Sequence, residues 1–369
     1  MANLYLHMGL HKTASSSFQE TCAQNIPELL SQGFVYPIFY YKNQHVCHAT
    51  ANHSISLYSI FTSDPRKYHV NIVRGDSNIE RINSEYNKTL AEALSTGKDV
   101  IISGEDISLL NEYELNNLLA ALSINNHTII PIACVRSPYE FHCSSLQQII
   151  KGGWYCDLVD YMSQRMRITT LKRVFGDAVK FIPFRKMCCE HSRPIEFLLN
   201  VIGIDSTRIK SIRTNEGMSN VAVRIQNLLN KKHPVILNGR VNIMHKKIKP
   251  IKGDKFLLTK EELNVIQKLV DEDNVFFANE LGADFCDVDF PIAKETFIDA
   301  LVGDELEDLF MPGLSSRCVD FLRDQALLCE KKSDVKMAYE LMALAYYGRP
   351  TGPLIERKVN EYKSILLSS

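Results

Sequence analysis

A short apolar run, Leu4 to Met8, stops at Gly9 and gives way to Leu10-His11-Lys12-Thr13-Ala14-Ser15-Ser16-Ser17. Phe18, Cys22 and Ile26 then recur at helical spacing. The pattern predicts a buried strand, a turn of small hydroxyl residues around one lysine, and a helix beginning near Ser15. Such a turn is an anion trap. A helix N-terminus offers N–H groups and the positive end of its dipole. Small residues let the backbone approach an anion's oxygens, and Lys12 adds a full charge. A kinase or ATPase using this device needs GxxxxGK[ST]. Here Lys12 stands three residues after Gly9 with no glycine directly before it, so the spacing argues against a nucleoside triphosphatase.

The same alternation continues downstream. Val35-Tyr36-Pro37, Val100 to Ser103, Thr128 to Val135 and Ala178 to Phe184 have strand character, with Pro131 predicting an irregularity in the third. Between them lie helical faces: Ile79, Ile82, Tyr86, Leu90 and Leu94, closed by Gly97; Leu115, Leu118, Leu119 and Leu122; Phe141 to Ile149, opened by Pro138; and, after the last strand, Ile195 to Ile202. Strands alternating with helices predict an α/β fold, a parallel sheet flanked by helices. Ligands in such sheets sit at the carboxyl ends of strands. Three polar clusters fall there: residues 10–17, Glu105, and Arg136-Ser137. Residues 40–78, polar and His-rich, are expected to be irregular or short helices. After about residue 205 come a helix within Asn215 to Lys232, a basic stretch from Arg240 to Lys255, and a helix capped by Thr259. The last part has no strand signal and resembles a tetratricopeptide-like helical hairpin. The expected organisation is an α/β domain over 1–297 and an α-helical C-terminal extension over 298–369.

Composition narrows the function. The 369 residues are 45% hydrophobic and carry a formal net charge of −1, so an anion site must be local and a duplex-DNA binder is disfavoured. The ten cysteines form no CxxC pair, and the adjacent Cys188 and Cys189 are poorly placed for an ordinary disulfide. They are taken as reduced thiols in a reducing compartment. No run approaches 18 apolar residues, and the first residues lack a signal-peptide pattern. The expectation is a cytoplasmic protein with no membrane span.

The turn Gly9-Leu10-His11-Lys12-Thr13-Ala14-Ser15-Ser16-Ser17 resembles the 5′-phosphosulfate loop of sulfotransferases that use 3′-phosphoadenosine 5′-phosphosulfate (PAPS), roughly Gly-x-x-Lys-Thr-Gly-Thr-Thr-Ser. The departures are serine for threonine, which keeps the hydroxyl, and Ala14 for glycine, which matters if the turn needs a positive φ there. A second match is Arg136 at the end of a strand with Ser144 eight residues later, similar to the family's 3′-phosphate site. Phe181 to Arg185 with Gly203-Ile204, and Asp271 to Asn274 with Phe276-Phe277, look like later parts of bacterial carbohydrate sulfotransferases. The resemblance covers about residues 3–285.

It implies a P-loop-like sheet, PAPS as donor and PAP as product. The reaction implied is transfer of a sulfuryl group to a hydroxyl or amine acceptor, a carbohydrate or glycan precursor. His11, Lys12, Thr13, Ala14, Ser15, Ser16 and Ser17 would surround the 5′-phosphate, with Lys12 also stabilising the leaving oxygen. Arg136 and Ser144 would hold the 3′-phosphate, and Lys252-Gly253 would belong to a flap over the donor. The base would be Glu105, with His53 the second candidate and Asp106 a weaker one. No metal is expected, since His45, Cys47 and His48 lack a second pair of ligands. His7 fits a core histidine. Two other classes fit the same residues: a non-catalytic nucleotide-binding module whose helical tail recruits a partner, and a phosphoryl transferase using ATP and Mg²⁺.

Overall fold

The computed structural model describes residues 2–10, 12–43, 46–74, 78–189, 193–213, 217–237, 240–242, 253–293 and 316–368. The first apolar run is strand β1 (Asn3–His7), followed by helices α1 (Ser15–Gln24) and α2 (Ile26–Ser31) and the short strand β2 (Phe34–Val35). A hairpin, β3 (Phe39–Asn43) and β4 (Val46–Thr50), leads to helices α3 (His53–Phe61), α4 (His69–Arg74) and α5 (Ile79–Leu94). Then come β5 (Asp99–Ser103), α6 (Glu112–Leu122), β6 (Thr128–Val135), α7 (Pro138–Lys151), α8 (Arg165–Phe175), β7 (Lys180–Pro183), α9 (Phe184–Cys189) and α10 (Pro194–Ile202).

Five of these strands form one parallel sheet in the order β2-β5-β1-β6-β7. Strand β1 is central: Leu4 lies opposite Val100 and Ile129, and His7 opposite Ser103 and Ile132. Both faces are covered, which is why the strands are apolar at nearly every position. Leu4, Leu6, Val100, Ile102, Ala133 and Val135 meet α5, α6 and α8 on one side. Ile101, Ile132 and Cys134 meet Phe18, Leu198 and Leu199 on the other. The chain leaves β1 toward the β5 side and later crosses to β6, so the order reverses between β1 and β6. The crevice at the carboxyl ends of those two strands is the topological switch point.

Local signals set the ends of the elements. Asn111 and Glu114 form a reciprocal capping box at the start of α6, at 3.0 and 2.9 Å. Gly97 (φ 67°) and Gly203 (φ 93°) adopt left-handed conformations just beyond α5 and α10. Two expectations fail. Strand β6 runs unbroken through Pro131, which pairs with Leu6. Residues 39–43 and 46–50 pair as antiparallel strands rather than irregular chain, with Tyr41 opposite His48 and their rings stacked at 4.8 Å.

The chain divides into two units. Met1–His142, Met162–Asn215 and Lys268–Asp289 form the first, which holds the sheet. The second comprises Cys143–Tyr161, Glu216–Gln267 and Phe290–Ser369. Its described elements include α11 (Asn220–Lys232), β8 (Ile236–Leu237) and β9 (Arg240–Val241). Helix α12 (Lys260–Glu280) starts in it, and α13 (Ser316–Lys331), α14 (Val335–Gly348) and α15 (Pro353–Ser368) complete it. This differs from a division into 1–297 and 298–369, whose boundary lies outside the described residues. The physical reason is a shared core: Val221, Ile225 and Leu229 of α11 pack with Val319, Leu322, Leu341, Ala345 and Tyr362 of the last three helices. Among the described residues, no helix is long and apolar enough to cross a membrane.

Candidate functional site

The turn after β1 is built from backbone. The ladder to β6 continues past the strand, with Met8 N donating to Ile132 O (2.7 Å) and Leu10 N to Cys134 O (3.0 Å). Lys12 (φ 59°) and Ala14 (φ 64°) then both take left-handed conformations. For residues with a Cβ this costs roughly 1–2 kcal/mol each. Left-handed residues interleaved with ordinary ones are how a backbone gathers N–H groups into an anion-binding concavity. Ala14 is the N-cap of α1 and has no side chain to cap the first turn. It stands where the sulfotransferase loop has glycine, so this turn does require a positive φ there. Gly9 is required for space: a Cβ on it would lie 2.2 Å from Ser15 Oγ and 2.6 Å from Thr13 Oγ1. Thr13, Ser15 and Ser17 are buried, while Lys12, Ala14 and Ser16 are half-buried. His11 lies outside the described residues.

Arg136, at the end of β6, reaches this turn. Its Nε donates to the Lys12 carbonyl at 2.5 Å, and its guanidinium lies 4.1 Å over the Phe184 ring. Its own carbonyl accepts from Gln164 Nε2 at 3.0 Å. The following corner is held by Asp287, whose Oδ2 accepts from Tyr139 N at 2.9 Å at the start of α7. Burial raises the Asp287 carboxyl pKa against these hydrogen bonds. Thus Lys12 and Arg136 meet at the switch point of the sheet. Ser144 is half-buried on α7, in the segment belonging to the second unit. Gly253 also belongs to that unit, where a Cβ on it would lie 2.4 Å from Glu340 Oε1. Lys252 lies outside the described residues.

The turn after β5 is built from side chains. His7 is fully buried, its Nδ1 2.8 Å from Ser103 Oγ. Burial pushes its pKa down to about 4, against the pull of Glu105. His53 is also fully buried and lies at the start of α3. Its Nδ1 accepts from Ser103 N at 2.9 Å, so its Nε2–H donates to Pro37 O at 2.7 Å. Tyr36 stacks on the ring at 4.4 Å, and burial pushes the pKa down to about 3. With both nitrogens committed to backbone, His53 has no lone pair to serve as a base. Its place among the candidate catalytic residues is corrected to that of a strut between β5 and the chain that follows β2. Asp106 is similarly engaged, accepting from Tyr68 Oη at 2.7 Å. Glu105 is half-buried at the carboxyl end of β5. Its charge acts on both His7 and Arg167 of α8, so the three lie in one electrostatic neighbourhood.

Gln164, Arg167 and Asp287 escaped the sequence reading because their relation to the turns is set by tertiary contacts. Gln164, between Ser163 and Arg165, carried no local signal of its own. Among the described residues, no group of three or more His, Cys, Asp or Glu could hold a metal ion. The chain matches no family model, no curated protein and no solved structure.

Proposed function

We propose that the first unit is a PAPS-dependent sulfotransferase with a P-loop-like sheet. The observation that carries this reading is the hydrogen bond from Arg136 Nε to the Lys12 carbonyl at the switch point. The Arg136 side chain, about 120 positions away in sequence, meets the Lys12 backbone in a turn with left-handed residues and small hydroxyl side chains. That set suits a nucleotide with two separate phosphates. The residues also suit such a donor chemically, since the missing Cβ of Gly9 lets the Ser15 and Thr13 hydroxyls fold into the turn.

PAPS supplies the sulfuryl group and departs as 3′,5′-adenosine bisphosphate. Backbone N–H groups at Thr13 to Ser16, with the Ser15 and Ser16 hydroxyls, hold the 5′-phosphate. Lys12 neutralises the charge that grows on the leaving phosphate oxygen. Arg136 holds the 3′-phosphate through its guanidinium fork. Glu105 takes the acceptor's proton as the new O–S or N–S bond forms and the S–O bond to the 5′-phosphate breaks. The acceptor is a hydroxyl or amine, with a carbohydrate as the favoured class.

A thermal-shift series tests this. 3′,5′-Adenosine bisphosphate at a hundredfold its dissociation constant should stabilise the protein by about 2.7 kcal/mol. Lys12→Ala should abolish most of that shift. No shift, or a larger one with ATP and Mg²⁺, overturns the reading and favours a phosphoryl transferase. Binding without turnover on any acceptor favours the non-catalytic module.

A further inference from the structure

Helix α7 ends at a tight turn, Gly152-Gly153, followed by Trp154 and Tyr155. Both aromatic residues are well exposed, at 50% and 44%. The backbone carrying them is tightly fixed. Gly152 N donates to Gln148 O (2.9 Å) and Trp154 N to Ile149 O (3.2 Å), while Gly153 turns the chain at φ 99°. Buried asparagines of α11 then clamp the loop from beneath. Asn230 is fully buried and donates to both Ile150 O (2.8 Å) and Trp154 O (2.9 Å). Asn227 accepts from Cys156 N (3.0 Å) and donates to Cys156 O (2.7 Å). Gln226 donates to Asn230 Oδ1 at 2.8 Å. A Cβ on Gly152 would sit 3.6 Å from Trp154 Cδ1, so the indole rests close over the glycine turn. The Lys231 ammonium lies 5.2 Å from the Tyr155 ring centre.

Burying three amide side chains to fix a loop that leaves two large aromatics in water is costly unless the display is used. Rigid aromatics lose little entropy on binding. Two half-exposed rings offer roughly 200 Å². A stable protein interface needs about 800 Å² per partner. The size suits one sugar ring, whose C–H face is apolar and whose rim hydroxyls need donors such as Lys231. We infer that Trp154 and Tyr155 form a saccharide-binding platform on the second unit, stacking a pyranose ring of an oligosaccharide. The inference stands independently of what the turn after β1 binds.

Trp154 is the chain's single tryptophan, so indole emission, excited at wavelengths where tyrosine does not absorb, reports on this site alone. Full-length protein is titrated with cellohexaose, chitohexaose and hexagalacturonate, with sorbitol as a polyol control. The expected result is a saturable emission change with at least one hexamer and none with sorbitol. Tyr155→Ala should weaken that binding about tenfold, and calorimetry on Trp154→Ala should lose it while the protein melts cooperatively as before. No saturable change with any hexamer up to about 10 mM overturns the inference, as does an equal response to sorbitol or an unchanged affinity in Tyr155→Ala. A bisphosphate thermal shift that persists when the saccharide response is missing separates this failure from that of the sulfotransferase reading.

Discussion

The turns after β1 and β5 leave neighbouring strands at the same level, since His7 lies opposite Ser103. Both open on a glycine, for different reasons. Gly9 makes room for the hydroxyls of its own loop. Gly104 makes room for another helix: a Cβ there would lie 2.6 Å from Ser54 N, at the start of α3. One turn keeps its concavity lined with backbone and small side chains. The other fills it with His53, Ser54 and Asp106, bonded to each other's elements. One sheet edge thus carries a receptive turn beside a braced one, and Glu105 lies within the braced turn, its carbonyl accepting from Ser108 Oγ at 2.7 Å.

The sharpest test of this division is Glu105→Gln. Loss of a general base should cut sulfuryl transfer by about 10²–10⁴-fold, with bisphosphate affinity and melting temperature unchanged. A parallel loss of stability would place the Glu105 side chain in the brace as well. The next effect concerns the buried histidines. Their folded pKa values, about 4 for His7 and about 3 for His53, lie below the ordinary 6.5. Between pH 6 and 4 the unfolded chain therefore takes up protons that the folded protein refuses. Stability falls as pH drops, by about 1.4 kcal/mol per pH unit for each histidine. In urea melts across that window, His53→Gln should remove one histidine's share of the slope; an unchanged slope would mean that His53 is not held neutral. The smallest effect belongs to the receptive turn. Ala14→Gly relieves the left-handed alanine and should stabilise the fold by about 0.5–1 kcal/mol, after the extra freedom glycine gives the unfolded chain. A destabilised variant would mean that the turn is not strained at Ala14.

The sheet was legible because each strand is a short apolar run bounded by polar turns, as at Leu4 to Met8 and Val100 to Ser103. The Lys12 turn was legible for the same reason: its chemistry lies within nine consecutive residues. The hairpin at Phe39–Thr50 was not, because its inward positions are Phe39 and Tyr41 among lysine, asparagine and histidine. Alternation of two aromatics is a weak signal beside so many polar neighbours. His53 illustrates a deeper limit. Its partners are Pro37 and Ser103, 16 and 50 residues away, and only their convergence turns a candidate base into a buried strut. Asp287 likewise caps a helix 148 residues upstream in the chain.

The central place of β1 has a consequence for synthesis. Its partners begin about 96 and 125 residues later, as the pairs Asn3–Asp99 and Asn3–Thr128 indicate. At about 5–20 residues per second, a ribosome takes roughly 6–25 s to reach the second of them. Until β5 is made, an apolar segment that will sit at the middle of the sheet has no strand on either side, and until β6 is made one side stays open. Completion of the sheet therefore waits on translation of β6. Slowing elongation between residues 10 and 100 should lengthen that exposure and lower the yield of folded protein.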